Sequence, residues 1–127
     1  MYELTVESQF DAAHNLRGYD GSCENLHGHT YRVQVFLIGS QLNNLGFVVD
    51  FKILKGVLAE AISHFDHHYL NELPEFQDVN PTAEHVARLI FEKMRASVGE
   101  IVSKVQVWET PTSSAAYYPD ASPQVPK

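Results

Sequence analysis

Apolar residues recur at every second position in two early stretches of this chain, and from Phe51 the spacing changes to that of a helix. Tyr2, Leu4 and Val6 alternate with Glu3, Thr5 and Glu7, and Tyr31, Val33, Val35 and Leu37 share one face of the β-branched and aromatic run Thr30 to Ile38. Two strands that each hide one face are therefore expected first. Phe51, Leu54, Leu58, Ala61, Ile62 and Phe65 then fall at helical spacing, leaving Lys52, Lys55 and Glu60 for the other side, with Asp50 placed to cap. A second helix is predicted from Asn80-Pro81-Thr82-Ala83-Glu84, with Asn80 as cap and Pro81 at the first helical position. Val86, Ala87, Ile90, Phe91, Met94 and Val98 form its apolar face, and Gly99 ends it. Gly46 to Asp50 reads as a short strand after the turn-like segment Gly39 to Asn44, and Ile101 to Glu109 and Ser114 to Tyr118 read as the last strands. The order ββααββ predicts an α+β fold, a four-stranded antiparallel sheet with two helices on one face.

The 127 residues fit a single domain, read as 1–118, followed by a tail of 119–127 with three prolines and no apolar period, expected to be loosely ordered. One cysteine excludes an internal disulfide framework, and Met1 to Thr5 lacks the basic and apolar parts of a signal peptide. No apolar run reaches membrane-spanning length, so a cytoplasmic, reducing setting is expected. The net charge of -7 argues against nucleic acid as partner but leaves room for a small phosphorylated substrate held by a few local cations. Lys52, Lys55, Arg17 and Arg32 are the candidates. A sheet of this kind has two open edges, which a homo-oligomer would cover.

The chemistry concentrates in Cys23-Glu24-Asn25-Leu26-His27-Gly28-His29. On an extended chain His27 and His29 leave the same face, the parity of Tyr31, Val33 and Val35. His14, at the end of the first alternating run, comes beside them if the first two strands pair antiparallel. Three imidazoles with a vacant position is the arrangement of a catalytic zinc, and Cys23 reads as a fourth ligand, as a reactive thiol beside the metal, or as inert packing. A second cluster, His64-Phe65-Asp66-His67-His68-Tyr69-Leu70-Asn71, offers Asp66 and His67 as a carboxylate–imidazole relay. For any one of these histidines the simpler fit is a helix C-terminus whose dipole favours histidine, and His64 and His68 would form an i, i+4 metal pair were the helix to continue. Glu109 shares parity with Val105 and Val107. It would end an inward row as a buried acceptor for a heterocycle with adjacent N–H groups, or as a salt-bridged strand end.

Taken together, Phe10-Asp11-Ala12-Ala13-His14, Cys23 to His29, Val49-Asp50-Phe51, Asp66 to Asn71, Asn80 to Glu84 and Trp108-Glu109-Thr110 resemble the 6-pyruvoyl-tetrahydropterin synthase family. The likeness is greatest to its bacterial 6-carboxy-tetrahydropterin synthase branch, of queuosine biosynthesis, and runs in family order over nearly the whole chain. The resemblance implies the tunnelling fold, with protomer sheets joined into an oligomeric barrel, trimer rings stacked as a homohexamer, and active sites between subunits. It implies His14, His27 and His29 as zinc ligands, Cys23 as catalytic thiol, and Asp66 and His67 as proton relay. Glu109 is implied to anchor the pterin, with Thr82 in a segment contacting it from a neighbouring subunit. The implied substrate is 7,8-dihydroneopterin triphosphate, converted to 6-carboxy-5,6,7,8-tetrahydropterin with loss of acetaldehyde and triphosphate.

Cys-x-x-x-His-Gly-His resembles this queuosine form, whereas 6-pyruvoyl-tetrahydropterin synthases of animal type set the cysteine farther from the first histidine. Glu24 stands three positions before His27, where relatives that make 6-hydroxymethyl-7,8-dihydropterin for folate carry a glutamate in place of the cysteine. Cys23 followed by Glu24 thus resembles a subgroup serving both pathways, with Glu24 as a candidate second base; the bland reading is a solvated loop residue. A zinc-stabilised binding module and a hydrolase using zinc-bound water are the readings from other classes.

Overall fold

The computed structural model describes residues 1–21 and 24–119. Its elements are β1 (Tyr2–His14), β2 (His27–Gly39), α1 (Phe51–Ser63), a two-residue β3 (His68–Tyr69), short 3-10 turns at Leu70–Glu72 and Pro74–Phe76, α2 (Ala83–Val98), β4 (Val102–Thr110) and β5 (Ser113–Tyr117). The predicted α+β order holds, with one strand added. The sheet runs β3-β1-β2-β4-β5. It is mixed rather than wholly antiparallel, because β3 lies parallel to β1 at Ala12 and Ala13.

β1 and β2 pair without a break from Tyr2 opposite Gly39 to His14 opposite His27. Their alternation sends Val6, Phe10 and Ala12, with Tyr31, Val33, Val35 and Leu37, to the face covered by α1 and α2, all buried. The other face keeps polar groups: Gln34 donates to Glu7 and accepts from the Trp108 indole. Leu54, Leu58, Ala61 and Ile62 of α1 and Val86, Ala87, Ile90, Phe91 and Met94 of α2 complete the core. Phe65 lies beyond the end of α1 yet is fully buried between Phe10 and Phe76.

Asp50 caps α1 as expected, accepting from the Lys52 N–H at 2.8 Å. At α2 the cap is Thr82 rather than Asn80: the Thr82 hydroxyl accepts from the His85 N–H, and the helix starts at Ala83. Asn80 is occupied elsewhere. Gly99 ends α2 at φ 100°, a conformation that other residues adopt only with strain. The expected strand at Gly46–Asp50 is absent. Asn43 instead folds that segment into a turn, its side chain accepting from the Leu45 and Phe47 N–H groups. Val48 then packs onto Gly39, where any Cβ would meet it at 2.6 Å. α1 stops at Ser63, so the i, i+4 pair of His64 and His68 does not form, and His64 pairs with Glu75.

Filling the Leu54 site matters more than capping. Leu54→Ala is expected to lower unfolding free energy by about 2–5 kcal/mol through the cavity it leaves, and Asp50→Ala by about 1 kcal/mol, both read by urea denaturation.

Candidate functional site

Because β1 and β2 end in register, His14 faces His27 across the ladder, and His29 sits opposite Ala12 on the same inward parity. The three rings meet edge to face, with centroids 4.6, 5.2 and 4.9 Å apart. One nitrogen from each lies within 4.8 Å of the others. The ring orientations are fixed from behind. His14 Nδ1 lies 2.8 Å from the Pro81 carbonyl, which can only accept, so Nδ1 carries the proton and donates it; the Tyr31 hydroxyl lies 3.0 Å from the same nitrogen. His27 Nδ1 likewise donates to the Asn25 carbonyl at 2.7 Å. In the neutral rings both Nε2 atoms are then bare lone pairs.

His14 is only 1% exposed, and its Nε2 has no hydrogen-bond partner. A Glu109 carboxylate oxygen nonetheless lies 3.2 Å from it, and 3.8 Å from His29 Nε2. A bare nitrogen facing a carboxylate oxygen sets lone pair against lone pair, an arrangement that a cation relieves. The donor set therefore fits a metal ion, and the backing carbonyls are the outer groups such sites use. Glu109 reaches this place through an irregularity in the β4–β5 pairing between Trp108 and Thr110, which takes it out of the ladder.

Electrostatics follow from this packing. Glu109 is held below the usual carboxyl range, chiefly by the hydrogen bond that His14 donates once its ring carries both protons, against the opposing effect of partial burial. Burial lowers His29; Glu109 opposes it, and repulsion from His14 and then His27 adds to the lowering. Burial, then Glu109, pushes the Tyr31 phenol far up, so it stays protonated.

The second cluster forms on the outward face. His67 takes a left-handed φ of 59°, unusual for a residue with a Cβ, and its N–H donates to the Asp11 carbonyl at 2.6 Å. Its Nδ1 sits 2.9 Å from Asp66 Oδ1, which also accepts from the Asp11 N–H at 3.0 Å. That backbone bond first, and His67 after it, hold Asp66 below its ordinary value. Asp11 joins them, its carboxylate within 4.8 Å of the Asp66 and His67 donor atoms, and it accepts from the Thr30 hydroxyl at 2.6 Å. The sequence pattern singles out Asp66 and His67 but not Asp11, whose outward parity within the Phe10 to His14 motif is the signal that would find it. An open depression of about 590 Å³ is lined by both His29 and His67, so the two clusters border one space. A neighbouring one of about 410 Å³ joins His29 to Arg32, Trp108 and Glu109.

Cys23 lies outside the described residues. Glu24 is exposed, its N–H donating to the Gly21 carbonyl, and its carboxylate is not in the imidazole group. Thr82 is engaged as the α2 cap. Arg17 is no free cation, since its guanidinium donates to the carbonyls of Asn71, Phe76 and Val79. Arg32 stacks over Trp108, 4.7 Å from the ring centroid.

The three shifted acid-side groups act in the same direction. Glu109 and Asp66 have folded values below 4.5 and 3.8, so their contribution is present above those pH values and lost as pH falls through the folded ones. His29, lowered from 6.5, disfavours the folded state once pH drops below that value, because the unfolded chain then binds the extra proton. The metal-free protein should therefore lose Tm steadily from neutral pH into acid. Glu109→Gln should flatten the lower end of that curve, and an unchanged acid limb would refute the assignment.

Comparison with known proteins places the fold. The model of the family described as 6-pyruvoyl tetrahydropterin synthase matches residues 3–120. The 6-carboxy-5,6,7,8-tetrahydropterin synthase of Haemophilus influenzae is 34% identical, covering 92% of this chain and 99% of its own, and that of Synechocystis is 36% identical, covering 97% and 98%. The solved structure of Caenorhabditis elegans 6-pyruvoyl tetrahydropterin synthase superposes with a TM-score of 0.82 at 30% identity, covering 94% of this chain and 97% of that one. The mixed sheet backed by two helices is thus a known scaffold, and the chain is a member of the 6-pyruvoyl tetrahydropterin synthase family.

Proposed function

We propose that this chain is a zinc-dependent carbon–carbon lyase that converts 7,8-dihydroneopterin triphosphate to 6-carboxy-5,6,7,8-tetrahydropterin, releasing acetaldehyde and triphosphate. The observation that carries the metal-centred reading is the buried, unpartnered Nε2 of His14, grouped with His27 and His29 and faced by a carboxylate. The product follows the names of the relatives and the Cys23 to His29 spacing.

In this reading His14, His27 and His29 hold the zinc, which when bound supplies Lewis-acid stabilisation of charge on the substrate side-chain oxygens. Cys23 takes a proton from the side chain as general base. Asp66 holds the His67 ring through Nδ1, so that His67 handles protons at the depression it shares with His29. Glu109 binds the pterin N–H and amino groups, with Thr82 contributing from a neighbouring copy, and the fixed ring brings the side chain rather than the heterocycle to the metal. Assembly follows from the sheet. Among the described residues β5 pairs only with β4, and β1 is covered by β3 only at Ala12 and Ala13. These edges suit joining of copies into a ring and then a homohexamer, in the cytoplasm, with no nucleic-acid partner. No helix of the described residues is long and apolar enough to cross a membrane.

A second reading is favoured by one residue. Glu24, three positions before His27, would add 6-hydroxymethyl-7,8-dihydropterin as a product for folate synthesis. Incubation of the zinc-loaded protein with dihydroneopterin triphosphate, with products identified by mass, should give the 6-carboxy product. A 6-pyruvoyl product would move the chain to the other activity of the family. Cys23→Ala should abolish the carboxy product, whereas Glu24→Ala should deplete only the hydroxymethyl one; an unchanged product ratio removes the dual reading. Because the core is complete beneath the imidazoles, zinc removal should leave a folded protein by circular dichroism with no turnover. Unfolding on chelation would favour a structural zinc module instead.

A further inference from the structure

Beyond His14 the chain leaves the sheet, and its backbone groups lose their ladder partners. Two asparagine side chains replace them. The Asn15 N–H donates to Asn71 Oδ1 at 3.0 Å while Asn71 Nδ2 donates to the Asn15 carbonyl at 2.9 Å. Two residues on, the Arg17 N–H donates to Asn80 Oδ1 at 2.9 Å and Asn80 Nδ2 donates to the Arg17 carbonyl at 3.0 Å. Each amide thus mimics the paired edge of a neighbouring strand. The amide orientations are unambiguous, since a backbone N–H only donates and a backbone carbonyl only accepts. Arg17 closes the arrangement by donating back to the Asn71 and Phe76 carbonyls at 3.1 and 2.7 Å.

Asn80 is also tied on its other side. Its own carbonyl accepts from the Thr82 N–H at 2.9 Å and from His85 Nδ1 at 2.7 Å, fastening it to the first turn of α2. Pro81 stands between these attachments, buried, with its carbonyl 2.8 Å from His14 Nδ1. The same short segment therefore holds the backbone just after His14 and the acceptor that selects the His14 tautomer.

We propose that Asn80, supported by Asn71, is a positioning residue for His14: its side-chain bridge to Arg17 locks the Pro81 carbonyl against Nδ1, so that Nε2 is presented bare toward the metal position. The consequence for metal rests on the zinc reading above, but the effect on the tautomer does not. Asn80 has no contact with substrate in this role. Its capping position is taken by Thr82, so loss of the bridge does not remove the α2 cap.

The test pairs Asn80→Ala with the milder Asn80→Ser, and uses Gln34→Ala as control. Gln34 makes two side-chain bonds on the opposite face of the sheet, so its loss weakens the fold without reaching His14. In the metal-free protein, side-chain nitrogen NMR should show His14 as a single Nδ1–H tautomer with a slowly exchanging proton. That signal should be lost or averaged in both Asn80 variants and kept in Gln34→Ala. Competition of zinc against a chromophoric chelator should show affinity about tenfold weaker in the Asn80 variants, the scale typical of outer groups behind a metal ligand. Retention of the Nδ1–H signal in folded Asn80→Ser would overturn the proposal, as would unchanged zinc affinity in that variant. If the unsubstituted protein shows the tautomer and the variants lose it, yet none binds zinc, the positioning role stands and the zinc reading fails.

Discussion

The antiparallel register of β1 and β2 is the constraint on which the rest depends. Pairing that starts with Tyr2 against Gly39 ends with His14 against His27, and a slip of one residue would turn every side chain of one strand to the other face. The same alternation that buries Phe10, Tyr31 and Val33 therefore aims the three imidazoles inward at the end of the sheet. Core and site are not separate achievements of this chain. One pleat sets both, so the packing energy of the core also pays for the convergence of the three imidazoles.

The end of that ladder is where regular structure stops supplying partners, and the site is built from what replaces them. Carbonyls of Pro81 and Asn25 fix the imidazole tautomers, Asn71 and Asn80 stand in for a missing strand, and an irregular β4–β5 pairing lets Glu109 reach His14. On the outward face a left-handed His67 makes the turn that adds β3 and brings Asp66 to the Asp11 N–H. Irregular backbone at these points is tied by hydrogen bonds to specific neighbours, which hold each departure from the ladder.

Much of this was legible beforehand because it rests on short-range period. The inward parity of His27, His29 and Tyr31, the Asp50 cap and the Gly99 stop all follow from spacing and local backbone preference. Two of the misreadings trace to long-range contacts and one to a local turn. Asn80 looks like a cap in isolation, but Arg17, sixty-three positions away in sequence, claims its amide. Val48 and Val49 look like strand, but Asn43 turns the chain and Val48 settles on Gly39 instead of pairing. Arg17 looks like a free cation for phosphate until three carbonyls surround it.

By itself the sequence determined the alternation that makes the sheet, the helices that cover it, and the identity of the metal-competent groups, because side-chain direction along a strand or helix is a local property. Only the tertiary structure decided which nitrogen of His14 is bare, that Glu109 confronts it, that Asp11 joins Asp66 and His67, and that Asn71 and Asn80 brace the strand end. Those outcomes depend on distances between segments remote in the chain, and no residue carries that information alone.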